Sequence, residues 1–215
     1  MKKCMNNYTN WIFDWSGTLV DDLTMVVDAT NYVLKIYDKP TFTKQGFREA
    51  FTLPYLDFYE EVLPGVPLEE VEQHFRKGFA HAEESGVVSP LLPHAEDFLE
   101  FLKIRGVRMF ILSSMDAAAF EKHAVDLSVD HYFEASYAGV LDKRDQIHGI
   151  LEKYNLAADE TVFVGDMTHD VETAKHGGIA SIALLTGYQS EQQLRAVEPD
   201  HLVADLAEVK KVLVG

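Results

Sequence analysis

Three observations predict an α/β fold, a three-layer doubly wound parallel sheet with an inserted helical unit. From Pro93 onward, short apolar runs of strand length alternate with segments of helical period. Between about residues 22 and 90, helical faces recur with no strand between them. Glycine, asparagine and capping pairs punctuate the ends of the helical segments. Strands interleaved with helices of about ten residues imply parallel pairing with both sheet faces covered.

In chain order, Trp11 to Asp14 reads as the first strand. Val26, Ala29, Val33 and Ile36 then make one helical face, and Val71, Phe75, Phe79 and Ala82 another. Residues 22–90 are therefore assigned to a helical unit inserted between the first two strands, with 1–21 and 91–215 forming the α/β core. Ala95, Phe98, Leu99 and Leu102 form a stripe ended by Gly106, and Val107 to Leu112 is the next strand. A helix over 116–126, a weak strand near Tyr132 to Tyr137, and a helix bearing Ile147, Ile150, Leu151 and Tyr154 up to Asn155 follow. Thr161 to Val164 is a β-branched and aromatic strand; the helix after it closes at Gly177, before a buried strand over Ile179 to Leu185. Ser190 with Gln193 makes a capping box for the helix beyond. An insertion that leaves the carboxyl edge of a parallel strand overhangs the place where open α/β sheets bind ligands, and can gate it.

Composition narrows the partners. The 215 residues suffice for a core of about 150 with an insertion. Lys and Arg number 19 against 35 Asp and Glu, a formal charge of −16, so duplex DNA and anionic membrane repel the chain overall. A hydrophobic fraction of 47% excludes wholesale disorder. Cys4 is the single cysteine, which excludes an intrachain disulfide or a cysteine-built metal cage and suits a reducing compartment. The opening MKKCMNNYTN has no apolar stretch behind its lysines, and no run of about 18 apolar residues occurs. The expectation is a cytoplasmic protein, monomer or homodimer, with no nucleic acid and no membrane partner.

Four segments at predicted strand ends carry chemistry. Asp14 ends the first strand before a turn containing Gly17, the placement of a nucleophile or metal ligand at a rim, or of an ordinary turn residue. Ser113 and Ser114 close the strand FIL with paired hydroxyls, suited to an oxyanion or to capping a helix. Lys143, beside Arg144, begins a helix, where a cation opposes the dipole and wants an anion; a lone lysine there otherwise stays in solvent. Asp166 and Asp170 stand four apart after VFVG, so both carboxylates can face one spot, and a hard divalent cation such as Mg²⁺ relieves their repulsion. His169 between them reads as a spacer, since Mg²⁺ prefers oxygen.

The order FDWSGTLVDD, FILSS, Lys143 and VFVGDMTHD resembles the four motifs of the haloacid dehalogenase superfamily over roughly residues 9–214. The closing stretch from Leu184 is similar to phosphoglycolate phosphatase relatives. The resemblance implies a Rossmann-like core with a small helical cap and Mg²⁺-dependent hydrolysis of small phosphorylated metabolites. Asp14 would carry the phosphoryl group, Ser113, Ser114 and Lys143 would hold its oxygens, and Asp14, the backbone carbonyl of Ser16, Asp166 and Asp170 would hold Mg²⁺. Phosphoryl transfer needs in-line placement and charge neutralisation above all.

One position departs from that pattern. Where phosphatases of the superfamily carry an acid/base Asp two residues after the nucleophile, this chain has Ser16. A serine hydroxyl alone is a poor proton donor and a worse base near neutral pH. Phosphonoacetaldehyde hydrolases also lack that Asp, and their first motif shares Trp15, which makes a carbon–phosphorus hydrolase the runner-up, with Lys44 as its Schiff-base candidate. A weakly active phosphometabolite-binding module is the third reading. Lys44, Arg48, Tyr55 and Tyr59 are the cap residues expected to face substrate.

Overall fold

The computed structural model describes residues 5–214, so Cys4 lies outside the described residues. Six strands form one parallel sheet: β1 (Asn10–Phe13), β2 (Arg108–Leu112), β3 (Ala135–Tyr137), β4 (Thr161–Gly165), β5 (Ala180–Leu184) and β6 (His201–Val203). Their spatial order is β3-β2-β1-β4-β5-β6. Phe13 is in register with Ile111 of β2 and with Val164 of β4. Asp14, Ser113 and Asp166 therefore leave three adjacent strands within two residues of one line.

Alternation along the strands sorts side chains into two layers. Trp11 and Phe13 pack with Phe98, Leu99, Ile111 and Val164 on one face, under α5 (Ala95–Ile104), α6 (Ala117–Asp126) and α10 (Leu206–Val214). Ile12 points the other way, into Phe110, Ile147, Ile150, Phe163 and Ala174, under α7 (Lys143–Lys153) and α8 (Thr168–His176). Each such buried side chain contributes about 1.5–3 kcal/mol by leaving water. The strand β6 and the helix α10 were not anticipated from sequence. A three-residue strand is too short for alternation to show, although Leu206, Val209 and Leu213 do mark a buried helical stripe.

Between β1 and α5 lie four helices: α1 (Leu23–Ile36), α2 (Lys44–Ala50), α3 (Tyr55–Val62) and α4 (Leu68–Glu84). The long pair α1 and α4 pack closely because Gly78 has no side chain: a Cβ there would lie 2.8 Å from Tyr32 Cβ and 2.9 Å from the Ala29 carbonyl. Val33, Leu34, Phe47, Phe58 and Val71 form their shared core, and Met167 and Tyr188 join it from the loops after β4 and β5. The insertion thus sits against the carboxyl edge of the sheet. A short helix, α9 (Glu191–Ala196), begins at Ser190, whose hydroxyl accepts from Gln193 N–H as the capping pair predicts.

Candidate active site

The carboxyl ends of β1, β2 and β4 and the start of α7 bring the four motifs together. Asp14 N–H donates to the Val164 carbonyl at 2.9 Å, extending the β1–β4 ladder by one bond and fixing where the Asp14 side chain begins. Lys143 is fully buried, and its ammonium lies 2.7 Å from Asp14 Oδ1 and 2.7 Å from Asp170 Oδ1. A lysine with no water contact persists only when paired, so its placement is that of a site residue and not of a solvated surface. Its backbone N–H donates to His169 Nε2 at 3.2 Å. Burial pushes the His169 pKa down to about 4, so the ring is a neutral acceptor that positions Lys143.

Asp166 is held by Thr18 Oγ1–H at 2.9 Å and by Tyr188 N–H at 2.7 Å. Gly17, at φ +74°, makes room for it, since a Cβ there would lie 2.5 Å from Asp166 Oδ2. Asp170, in the first turn of α8, accepts from Met167 N–H at 3.0 Å as well as from Lys143. Asp170 thus serves both as the cap partner at the start of α8 and as a carboxylate of the candidate site. Asp14, Asp166 and Asp170 have carboxylate oxygens within 4.8 Å of one another, all buried.

Three carboxylates face one ammonium, leaving surplus negative charge. Burial pushes the Asp14 pKa up to about 7; Lys143 opposes the rise and Asp170 adds to it. Asp166 is pushed well above the usual carboxylate range by burial, then by Asp14 and Asp170. Burial works against charge on Lys143, but Asp14 and Asp170 outweigh it and raise its pKa, so the ammonium stays protonated. A hard, oxygen-only donor set with excess negative charge fits Mg²⁺.

The hydroxyls separate. Ser113 Oγ accepts from Met115 N–H at 3.2 Å. Ser114 Oγ is buried without a hydrogen-bond partner among the described residues and borders the cavity above Asp14. Neither caps α6, whose start is capped by Asp116 Oδ1 accepting from Ala119 N–H. Ser16 Oγ donates to Asp22 Oδ2 at 2.5 Å, and Tyr188 OH donates to Asp22 Oδ1 at 2.9 Å. Burial pushes Asp22 up to about 6, against the lowering effect of those two bonds.

Asp14, Ser16, Asp22, Ser114 and Lys143 line one cavity of about 500 Å³, roofed by the insertion. Its roof is Phe51, Leu53, Tyr55, Tyr59, Phe75 and Phe79, with Arg76 the insertion's cation there. Lys44 and Arg48, expected to face substrate, are instead exposed on α2 and do not line it. Their helix buries Phe47, and a seven-residue helix that points one side inward must point the other out. Tyr55 and Tyr59 do face the cavity. Trp15 packs on Phe120 and Phe133 with its Nε1–H on His123, so it belongs to the core and not to the cavity. Sequence reasoning missed Asp22, Thr18 and Tyr188; the paired acids after GTLV were the available signal for Asp22.

The candidate site thus joins a carboxylate at the end of the first of six parallel strands, a buried lysine against it and two further carboxylates. The family model of the haloacid dehalogenase-like hydrolases matches residues 11–184, and the chain belongs to that family. A 5'-nucleotidase of Pseudomonas aeruginosa is 27% identical, the match covering 99% of each chain. A phosphoglycolate phosphatase of Colwellia psychrerythraea is 26% identical over 87% of this chain and 89% of its own. Among solved structures, a predicted phosphatase from Clostridium acetobutylicum shares the fold with TM-score 0.84 at 21% identity, over 97% of this chain and 99% of that one. No helix among the described residues is long and apolar enough to cross a membrane.

Proposed function

We propose that the protein is a Mg²⁺-dependent hydrolase of small phosphorylated metabolites that carries the phosphoryl group on Asp14. The observation that supports this most is Lys143, wholly buried with its ammonium against both Asp14 and Asp170. Asp14, the Ser16 backbone carbonyl, Asp166 and Asp170 would hold Mg²⁺, which when bound supplies positive charge for the phosphoryl oxygens. Asp14 presents its carboxylate at the cavity floor for in-line attack on phosphorus, and Lys143 offsets the repulsion between that carboxylate and a phosphate dianion. The unpartnered Ser114 hydroxyl, with Ser113 beside it, supplies donors to the phosphoryl oxygens.

The roof points to the leaving group. Ligand cavities run about 300–1,000 Å³, and one of about 500 Å³ lined by Phe51, Tyr59, Phe75 and Phe79 suits a ring-bearing group over glycolate. A glycolate carboxylate would also want a cation, and Arg76 already lies 4.0 Å from Asp116. The carbon–phosphorus reading loses its support, because the cavity-lining residues of the insertion include no lysine for a Schiff base.

Phosphate release across nucleoside monophosphates, aryl phosphates and 2-phosphoglycolate with Mg²⁺ tests the proposal. Ring-bearing substrates should exceed phosphoglycolate at least tenfold in kcat/KM, corresponding to about 1.4 kcal/mol. Asp14→Asn and EDTA should each abolish release, EDTA reversibly. Full Mg²⁺-dependent turnover by Asp14→Asn would overturn the mechanism, and a preference for phosphoglycolate would overturn the substrate class.

A further inference from the structure

Asp22 is a buried carboxylate with no part in holding Lys143 or the other three acids. It sits immediately before α1, where the chain leaves the sheet for the insertion, yet it borders the catalytic cavity. Two hydroxyls converge on it: Ser16 from the loop after β1 at 2.5 Å and Tyr188 from the loop after β5 at 2.9 Å. An O–H···O⁻ contact of 2.5–2.7 Å is the strong, charge-assisted kind. With its proton committed to Asp22, Ser16 Oγ keeps its lone pairs free to accept, and Ser16 lines the cavity two residues beyond Asp14.

We propose that Ser16 and Asp22 together replace the missing acid/base carboxylate, with Ser16 touching the attacking water and Asp22 positioning Ser16 and accepting its proton. The inference rests on Asp14 being the nucleophile. In the dephosphorylation step, water oxygen bonds to phosphorus as the bond from phosphorus to Asp14 oxygen breaks, and that electron pair returns to the Asp14 carboxylate. One water proton passes to Ser16 Oγ while the Ser16 proton passes to Asp22 Oδ2. The same proton runs back through Ser16 to the leaving-group oxygen in the next turnover, so the cycle closes on water plus ester giving alcohol plus phosphate. Tyr188 ties this relay to the insertion, because its ring packs on Phe51 at 5.7 Å and Phe47 at 6.2 Å between centroids while its backbone N–H holds Asp166.

The test follows formation and decay of the acid-quenched, radiolabelled phosphoenzyme with an aryl phosphate, whose leaving group needs little protonation. Asp22→Asn should form phosphoenzyme at the wild-type rate and lose it about 10²- to 10⁴-fold more slowly, the usual contribution of a positioned acid–base group. Ser16→Ala, which removes only a hydroxyl, should match it, and the double variant should be no slower than either single one. Unchanged decay in Ser16→Ala, or formation and decay slowed equally in both variants, would overturn the relay. Label that still appears on Asp14→Asn would instead overturn the nucleophile on which the relay depends.

Discussion

Replacing Lys143 with Met keeps the length of the side chain and removes its charge. The ammonium, on a fully buried side chain, lies 2.7 Å from each of two carboxylates. Deleting one partner of a buried ion pair typically costs about 3–5 kcal/mol. For a chain of this size, where 1 kcal/mol moves Tm by about 2–4 °C, the metal-free variant should melt about 6–20 °C lower at pH 8. The deficit should depend on pH in a definite direction. Asp14 already stands at about 7 against 3.8 for an unburied Asp, and loss of Lys143 moves it further up. A carboxyl whose folded pKa lies above its unfolded value contributes stability that is full below about pH 4 and lost as pH rises through the folded value. The variant should therefore lie nearest to wild type at pH 5 and fall further behind as pH rises past 7. Mg²⁺ should raise the variant's Tm more than that of wild type, since the uncompensated trio attracts a cation more strongly. Denaturant melts at pH 5, 7 and 8, with and without Mg²⁺, make the measurement. A deficit that is the same at every pH would show that Lys143 matters through packing and not through charge.

Other changes read other parts of the site. A Cβ at Gly187 would collide with Asp166 Oδ2, so Gly187→Ala should weaken Mg²⁺ binding about 10- to 100-fold by calorimetry while leaving the metal-free melt within a few degrees. Lys44→Ala should keep wild-type turnover, and borohydride with phosphonoacetaldehyde should trap no adduct, because Lys44 is exposed outside the cavity. Sequence reasoning alone expects Ser16→Asp to restore a conventional acid/base and raise kcat on alkyl phosphates. The structure reverses the sign: a carboxylate there would face Asp22 across a 2.5 Å contact, so kcat should fall and Tm should drop at neutral pH.

Patterns that depend on neighbours along the chain were legible without coordinates. The short apolar runs of β1 and β4, helical stripes in α1, α4 and α5, and the order of the four motifs all follow from local sequence and from which residue ends which strand. Asp14, Ser113, Lys143, Asp166 and Asp170 could be nominated that way, because the carboxyl ends of parallel strands must share an edge. Which alternative each residue fulfils depended on burial and on partners far away in sequence. Lys143 stays buried and charged because Asp14 and Asp170 pair with it, not because of anything in KRDQ. Lys44 and Arg48 point outward because Phe47 takes the inner side of their short helix. Ser16 lacks the acid/base group of the motif, and becomes half of a pair only when Asp22, itself held by Tyr188 from 166 residues further on, accepts its hydroxyl proton. Sequence spacing specifies the strands and their ends through backbone geometry; the hydrogen bonds and charge balance of the site arise only where side chains from separate segments exclude water together.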